Sequence, residues 1–280
     1  MLKKIKLSAY VISISLVNLI LYQYPFFKFV IDTSTSKSLN GVILIISLIV
    51  ASLLLNTLVF YIGLYLLRNV GKWLLALLFN ISAIAVYFIN TYGVIIDRTM
   101  IGNVFNTNYE ESSSFFSFGL LIYIFLLGLL PSFFLFKFEV IRPKFKRFLA
   151  HTVLLLILLG GIAFVNSSNW LWIDKNSKTL GGLIMPWSYV VNTSRYYSHT
   201  NKKNKKQILL PDATIKNDKK SVAVLVIGES ARSSNFSLYG YEKNTNPLLS
   251  QIENLKHFKA ESCATYTTAG LKCILEHENT

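Results

Sequence analysis

The amino-acid sequence predicts a five-helix α-helical transmembrane domain followed by the beginning of an α/β domain. Three observations carry this. Hydrophobic residues make up 52% of the 280 and charged residues only 15%, too apolar a balance for a soluble globule. Five stretches, residues 7–27, 41–67, 73–96, 115–136 and 148–165, contain no Asp, Glu, Lys or Arg, and crossing a hydrocarbon core takes about 20 such apolar residues. Lastly, Val222–Ile227 is a short β-branched run that stops at Gly228, the pattern of a buried central strand. The chain then divides into a transmembrane domain (1–165), an interfacial helix with a basic linker (166–220) and the opening of the α/β domain (221–280).

Taken in order, Lys3-Lys-Ile-Lys6 before an apolar run has the look of a signal peptide. The run 7–27 is too long for that and no small-residue cleavage site follows, so it reads as a retained first span. Inside the spans, Asn18, Asn56, Asn80 and Ser82 are placed to hydrogen-bond to neighbouring helices, and Gly160-Gly161 would let backbones approach closely. Residues 166–199 are rich in Trp170, Trp172, Trp187, Tyr189, Tyr196 and Tyr197. Aromatic rings with polar tips favour headgroup depth, so part of this stretch is expected to lie along the membrane face. Residues 200–220 then turn polar and basic around Pro211, as a tether does.

The net charge of +14 invites a nucleic-acid reading, but the basic residues sit at span flanks and in the linker. A bilayer is the better partner, and no nucleic acid is expected. Arg68 with Lys72, and the group Lys137, Arg142, Lys144, Lys146 and Arg147, fall on the same side as the N-terminus if all five spans are real. Cytoplasmic loops retain the positive charge, so the N-terminus is predicted inside and residues 166–280 outside. In a bacterial inner membrane, outside is the oxidising periplasm.

Chemistry concentrates after residue 220. The strand would deliver Glu229 to its C-terminal edge, where open α/β sheets bind ligands. Thr265, Thr267 and Thr268 lie between the chain's two cysteines, Cys263 and Cys273. A threonine hydroxyl is a poor nucleophile until deprotonated, and no histidine lies near in sequence, so a metal is the economical activator. Ser230 is a competing nucleophile. Gly228-Glu-Ser-Ala-Arg232 is neither a phosphate-binding Walker loop nor a Gly-x-Ser-x-Gly elbow, which disfavours a serine hydrolase. Taken singly, Glu229 could equally form a strand-end salt bridge and Thr267 could be a turn or cap hydroxyl.

Val-Leu-Val-Ile-Gly-Glu-Ser-Ala-Arg (224–232), Asn-Phe-Ser-Leu-Tyr-Gly-Tyr (235–241) and Thr245-Asn-Pro247 resemble the start of the catalytic domain of membrane-bound phosphoethanolamine transferases. That family modifies lipid A or lipooligosaccharide and includes polymyxin-resistance enzymes. Five spans before a periplasmic alkaline-phosphatase/sulfatase-like domain is also its architecture. The resemblance implies zinc as cofactor, with Glu229 and Thr267 as ligands. It further implies that Thr267 is the catalytic nucleophile, lying four residues after the first cysteine of a disulfide pair ten apart, a spacing that Cys263 and Cys273 match. The two cysteines could be free buried thiols, but the oxidising compartment and short separation favour a bridge, which would stabilise this end of the chain by roughly 2–3 kcal/mol.

Asn103, Thr107 and Glu111 recur at i+4 and so share one face if their segment is helical. By the same resemblance they would engage the donor phosphatidylethanolamine, with Glu111 on the ethanolammonium, or Glu110 if the register slips. A solvated helix face is the bland alternative.

Family catalytic domains continue well past the position of Thr280, so the expectation is a truncated chain, inactive alone, whose other zinc ligands lie elsewhere. The expected activity of the whole protein is phosphoethanolamine transfer in the periplasm, from phosphatidylethanolamine to lipid A or lipooligosaccharide, by a monomer. The alternatives are a phosphoglycerol transferase or sulfatase-like hydrolase of the same superfamily, or a non-catalytic membrane anchor or sensor.

Overall fold

The computed structural model describes residues 3–34, 38–107, 109–200, 222, 224, 226, 228, 232–258, 261–263 and 267–275, without the side chains at 110, 111, 114, 199, 200, 267–269 and 272. The chain separates into two units, Met1–Thr200 and Asn201–Thr280.

The first unit opens with a strand that composition did not foretell, β1 (Lys3–Lys6). Helix α1 (Leu7–Tyr22) follows, then α2 (Tyr24–Thr33), bent 62° away from it. Span 7–27 is therefore not straight. Pro25 explains the break, because its ring removes a backbone donor and crowds the preceding turn. Helices α3 (Leu39–Leu67) and α4 (Asn69–Tyr92) are joined by Arg68 alone, in a positive-φ turn with φ 55°. Helix α4 ends at Gly93, which adopts the left-handed conformation (φ 67°) common at helix ends. The third span thus stops four residues short of the expected Ile96.

Two short helices come next, α5 (Arg98–Asn106) and α6 (Tyr109–Ser114). The fourth span is a composite of α7 (Phe118–Tyr123), a π-helical segment (Ile124–Leu129) and α8 (Leu130–Phe136). Pro131 has no N–H for the Leu127 carbonyl, and the Tyr22 hydroxyl donates to that oxygen instead at 2.5 Å. Strand β2 (Phe138–Ile141) pairs in parallel with β1, Lys3 opposite Phe138 and Lys6 opposite Ile141. Helix α9 (Phe145–Val165) completes the long helices. Among the described residues, four helical segments are long and apolar enough to cross a membrane, or five if the bent α1–α2 pair is one span.

Polar groups stitch the bundle together. Asn56 on α3 donates to Asn18 Oδ1 on α1 at 2.9 Å, and Asn80 on α4 donates to Ser132 on α8 at 3.2 Å. Where hydrocarbon offers no water, such pairs satisfy groups that would otherwise be stranded. Gly160 and Gly161 do not play the expected part, since a Cβ at either would meet nothing within 4 Å. Close approach falls instead at Gly128, where a Cβ would lie 2.6 Å from Asn80 Oδ1.

Helices α10 (Trp170–Lys175), α11 (Ser177–Leu183) and α12 (Trp187–Thr200) follow. The expected interfacial stretch is tucked into the bundle over part of its length. Trp187 Nε1 donates to Asn56 Oδ1 at 2.8 Å, and the Tyr189 hydroxyl donates to the Leu78 carbonyl at 2.9 Å. The Gln23 side-chain amide at the α1–α2 break donates to the Met185 carbonyl. The polar tips that suit a headgroup also suit orphan acceptors of a helix bundle, which composition alone does not distinguish.

In the second unit only alternate residues of the expected strand Val222–Ile227 are among the described ones. Val222, Val224 and Val226 carry no strand pairing and are 80–92% exposed. A parallel central strand needs strands on both edges and cover on both faces, and the described residues of this unit supply no other strand. What is ordered is local: three 3₁₀ turns (Ser233–Asn235, Ser237–Tyr239 and Leu249–Gln251) and helix α13 (Thr267–Leu275).

Candidate functional site

Two groups of sequence-predicted residues fall in the two units. In the first unit, the site is built on the stretch leaving α4. Asp97 is buried and caps α5, accepting from the Met100 amide at 2.9 Å and from the Thr99 hydroxyl at 2.6 Å. Its other oxygen lies 3.5 Å from Lys178 Nζ on α11. Asn192 on α12 donates to the Ile96 carbonyl at 2.9 Å, and the Ile96 amide donates to the Gly182 carbonyl at 3.1 Å. This stretch is thereby clamped between α11 and α12. Gly182 is required there, because a Cβ would sit 2.1 Å from Ile95 Cγ2. Tyr189 anchors the same end of α12, and burial pushes its hydroxyl pKa up, which keeps it a neutral donor.

Clamping fixes the direction of α5. Its buried face, Ile101 and Gly102, meets α12, where Phe105 stacks on Tyr196 with ring centroids 5.6 Å apart. Asn103 is half-buried near the end of α5. Thr107 caps that end in an extended conformation, its amide and its hydroxyl donating to the Asn103 carbonyl at 2.8 and 2.7 Å. Helix α5 therefore stops at Asn106, and α6 begins at Tyr109. The i+4 row of Asn103, Thr107 and Glu111 on a single helical face is not what forms. Thr107 and Asn106 compete with the helix for its carbonyls, as short polar side chains do, and Asn106 Nδ2 donates back to the Gly102 carbonyl at 2.7 Å. Asn103 and Thr107 adjoin, Glu111 lies on the next helix, and the side chains of Glu110 and Glu111 are outside the described set.

Sequence reasoning missed Asp97, Lys178 and Asn192 as positioning residues. The signal for Asp97 was available, as an aspartate opening a helical stretch after an apolar run. Lys178 and Asn192 carry none, since each acts through a partner about a hundred residues away.

In the second unit, Cys263 and Cys273 form a disulfide, Cα atoms 6.6 Å apart. The bridge closes a loop that ends within α13, and Thr267 is the first residue of that helix. A helix start collects unpaired backbone N–H groups and the positive end of the macrodipole, an environment suited to a phosphoryl group. Glu229 and Ser230 lie outside the described residues, as does Thr265. The other motif residues build a turn scaffold. Thr245 Oγ1 donates to the Asn235 carbonyl at 2.6 Å and accepts from the Ser237 amide at 3.0 Å, while the Asn246 amide donates to Ser237 Oγ at 3.1 Å. Tyr239 donates to the Phe258 carbonyl at 2.7 Å and its ring meets His257 edge-on.

Among the described residues no three His, Cys, Asp or Glu side chains cluster closely enough to hold a metal. A zinc site takes three or four protein ligands. The described residues thus do not by themselves assemble the expected zinc set.

Comparison with known proteins separates the same two units. Residues 53–201 match the family described as phosphoethanolamine transferase EptA/EptB, and residues 221–279 match the sulfatase family. The phosphoethanolamine transferase EptA of Helicobacter pylori is 37% identical over 94% of this chain and 50% of its own length. The phosphatidylethanolamine transferase Mcr-1 of Escherichia coli is 29% identical over 75% of this chain and 41% of its own. Among solved structures, the integral membrane lipooligosaccharide phosphoethanolamine transferase A of Neisseria meningitidis superposes with a TM-score of 0.70 at 25% identity, covering 88% of this chain and 47% of that one. The chain spans about half the length of the curated relatives it matches. With more than half of its residues inside the first match, the chain belongs to the phosphoethanolamine transferase EptA/EptB family.

Proposed function

We propose that the protein containing this chain transfers phosphoethanolamine from phosphatidylethanolamine to a phosphate of lipid A or lipooligosaccharide. The observation that carries the reading is the family match over residues 53–201 followed by a sulfatase match from residue 221. The setting is a bacterial inner membrane, with the N-terminus in the cytoplasm, residues 166–280 in the periplasm and the protein acting as a monomer. Two steps account for the transfer. Thr267 Oγ1 gives up its proton and attacks the donor phosphorus, the phosphorus–glycerol oxygen bond breaks, and diacylglycerol leaves carrying a proton. An acceptor phosphate oxygen then attacks the phosphothreonine, and the threonine oxygen recovers its proton. The covalent intermediate splits one difficult displacement into two.

Asn103 and Thr107 would bind the donor headgroup, with Glu111 facing the ethanolammonium. Zinc bound by Glu229, Thr267 and further ligands would supply charge stabilisation at the phosphoryl oxygens and a lowered hydroxyl pKa. Capping an anionic phosphate with an ammonium-bearing group weakens binding of cationic peptides, hence a role in polymyxin resistance.

The test is peptide mass spectrometry of the full-length protein incubated with phosphatidylethanolamine. A phosphoethanolamine adduct on Thr267 is expected. Thr267→Ala should lower transfer by about a thousandfold or more at unchanged membrane level. Undiminished transfer by that variant would remove Thr267 from the mechanism. An adduct from phosphatidylglycerol instead would favour the phosphoglycerol transferases, a reading the sulfatase match over residues 221–279 also accommodates.

A further inference from the structure

A charged cavity lies at the other end of the bundle, beside the N-terminal strand. It has a volume of about 330 Å³ and is walled by the Arg68 turn, the start of α4, the end of α8 and strand β2. Three cations, Arg68, Lys72 and Arg142, line it against one carboxylate, Glu139. No ion pair joins these four among the described residues, where Lys178 with Asp97 is the pair formed. Arg142 Nε is buried and has no hydrogen-bond partner. Burial, and after it the neighbouring Arg68 guanidinium, push the Arg142 pKa down. Lys72 is held in place from behind, its ammonium donating to the Phe138 carbonyl at 2.6 Å and lying 5.6 Å from the centre of the Tyr10 ring.

The remaining wall is apolar. Leu64, Trp73, Phe136 and Val140 share the cavity with the cations, and Trp73 packs against Phe136 with ring centroids 4.6 Å apart. Trp73 is 68% exposed near the start of α4, beside the basic turn, and tryptophan at a span's end is a common anchor at the membrane interface. The cavity thus offers two environments side by side, a guanidinium pair suited to phosphate oxygens and an apolar rim opening toward the acyl region. A free phosphate would use only the first. Basic pockets between membrane helices are a recurrent means of holding anionic lipid headgroups.

We propose that Arg68, Lys72 and Arg142 form a binding site for the phosphate of an anionic phospholipid in the leaflet on the N-terminal side. The ligand neutralises the excess charge and ties the α3–α4 turn to the β1–β2 ribbon. This site is separate from the one proposed for transfer, and its test reads lipid retention and heat stability, not turnover.

The intact protein is exchanged into nanodiscs containing equal parts phosphatidylglycerol and phosphatidylcholine, released, and weighed by native mass spectrometry. Wild type should retain phosphatidylglycerol in preference, and the Arg68→Gln/Arg142→Gln double variant should lose about tenfold or more of that preference. Lys144→Gln/Lys146→Gln removes two charges of the same loop that do not line the cavity, and should leave retention unchanged. Equal retention by wild type and the double variant overturns the site. Should the double variant fail to fold, wild type alone decides: short-chain phosphatidylglycerol must raise its unfolding temperature and short-chain phosphatidylcholine must not. A rise with inorganic phosphate as large as that with phosphatidylglycerol overturns the lipid assignment in favour of a soluble phosphate ligand.

Discussion

Among the described residues, the membrane unit has side-chain hydrogen bonds that reach across the chain, whereas those in the C-terminal unit reach along it. Tyr22 bonds to Leu127, Asn56 to Trp187 and Gln23 to Met185, each joining segments more than a hundred residues apart. In the other unit Thr245 bonds to Asn235, Asn246 to Ser237 and Tyr239 to Phe258, at separations of 10, 9 and 19. The difference follows from what each solvent demands. Hydrocarbon leaves a buried polar group no water to bond to, so distant segments are matched and the stretch between α4 and α5 is clamped by α11 and α12. The turn scaffold of residues 232–258 is held by bonds among its own residues.

Substitutions can break this contrast. The largest effect is expected at Gly182→Val, which forces a Cβ to within 2.1 Å of Ile95 Cγ2. Overpacking of this kind typically costs about 1–3 kcal/mol, and here the β-branched Ile95 beside a clamped backbone leaves little room to yield, so about 3 kcal/mol is expected. Thermal unfolding in detergent, followed by helical signal, should fall accordingly and donor binding should weaken with it. A variant that melts like wild type would show that the stretch between α4 and α5 is not held as described. Next in size, Cys263→Ala/Cys273→Ala opens a short loop and should cost the C-terminal unit about 2–3 kcal/mol. Proteolysis around Thr267 should accelerate while the melting of the membrane unit stays put. A matching loss in the membrane unit would mean that the two do not respond independently.

How far residues announce their role depends on this same contrast. The long helices were legible because composition alone specifies a span, and the disulfide because its spacing is local. The polar anchors Asn18, Asn56, Asn80 and Ser82 were legible as bonding residues, but their partners were not, since nothing near Asn56 points to Trp187. The bend at Pro25 and the stop at Gly93 were written in plain residue types that a search for uninterrupted apolar runs passes over. The row of Asn103, Thr107 and Glu111 failed for a local reason, the capping by Thr107. At Val222–Ile227 the three described valines are exposed and unpaired, because β-branched residues specify a strand only where other strands receive it.

A third substitution sharpens the comparison within the bundle. Asn56→Leu removes the donor to Asn18 and the acceptor for Trp187 together, leaving the Trp187 Nε1–H unmatched and Asn18 Oδ1 with Gln23 as its donor. Bonds of this kind between membrane helices are individually modest, so a loss of about 1–2 kcal/mol is expected. Asn18→Leu/Asn56→Leu should recover part of it, because the buried Asn18 amide, whose Nδ2 has no hydrogen-bond partner, is then gone. If the double variant is the less stable by the sum of two single losses, the pair is not coupled.

The smallest effect carries the opposite sign. Gly160 and Gly161 lie inside α9 with open space where a Cβ would go, and most of that helix faces outward. Glycine in a helix interior costs roughly 0.5–1 kcal/mol relative to alanine, so Gly160→Ala/Gly161→Ala should stabilise the isolated protein by about 1 kcal/mol in detergent. Transfer should be unaffected, because neither residue touches the clamped loop. A loss of stability would show that something does approach these glycines. Among the described residues nothing does, so another molecule seated on the outer face of α9 would be the surface to look for. Crosslinking through a cysteine placed at Gly161 would then identify it, and the monomer proposed above would give way.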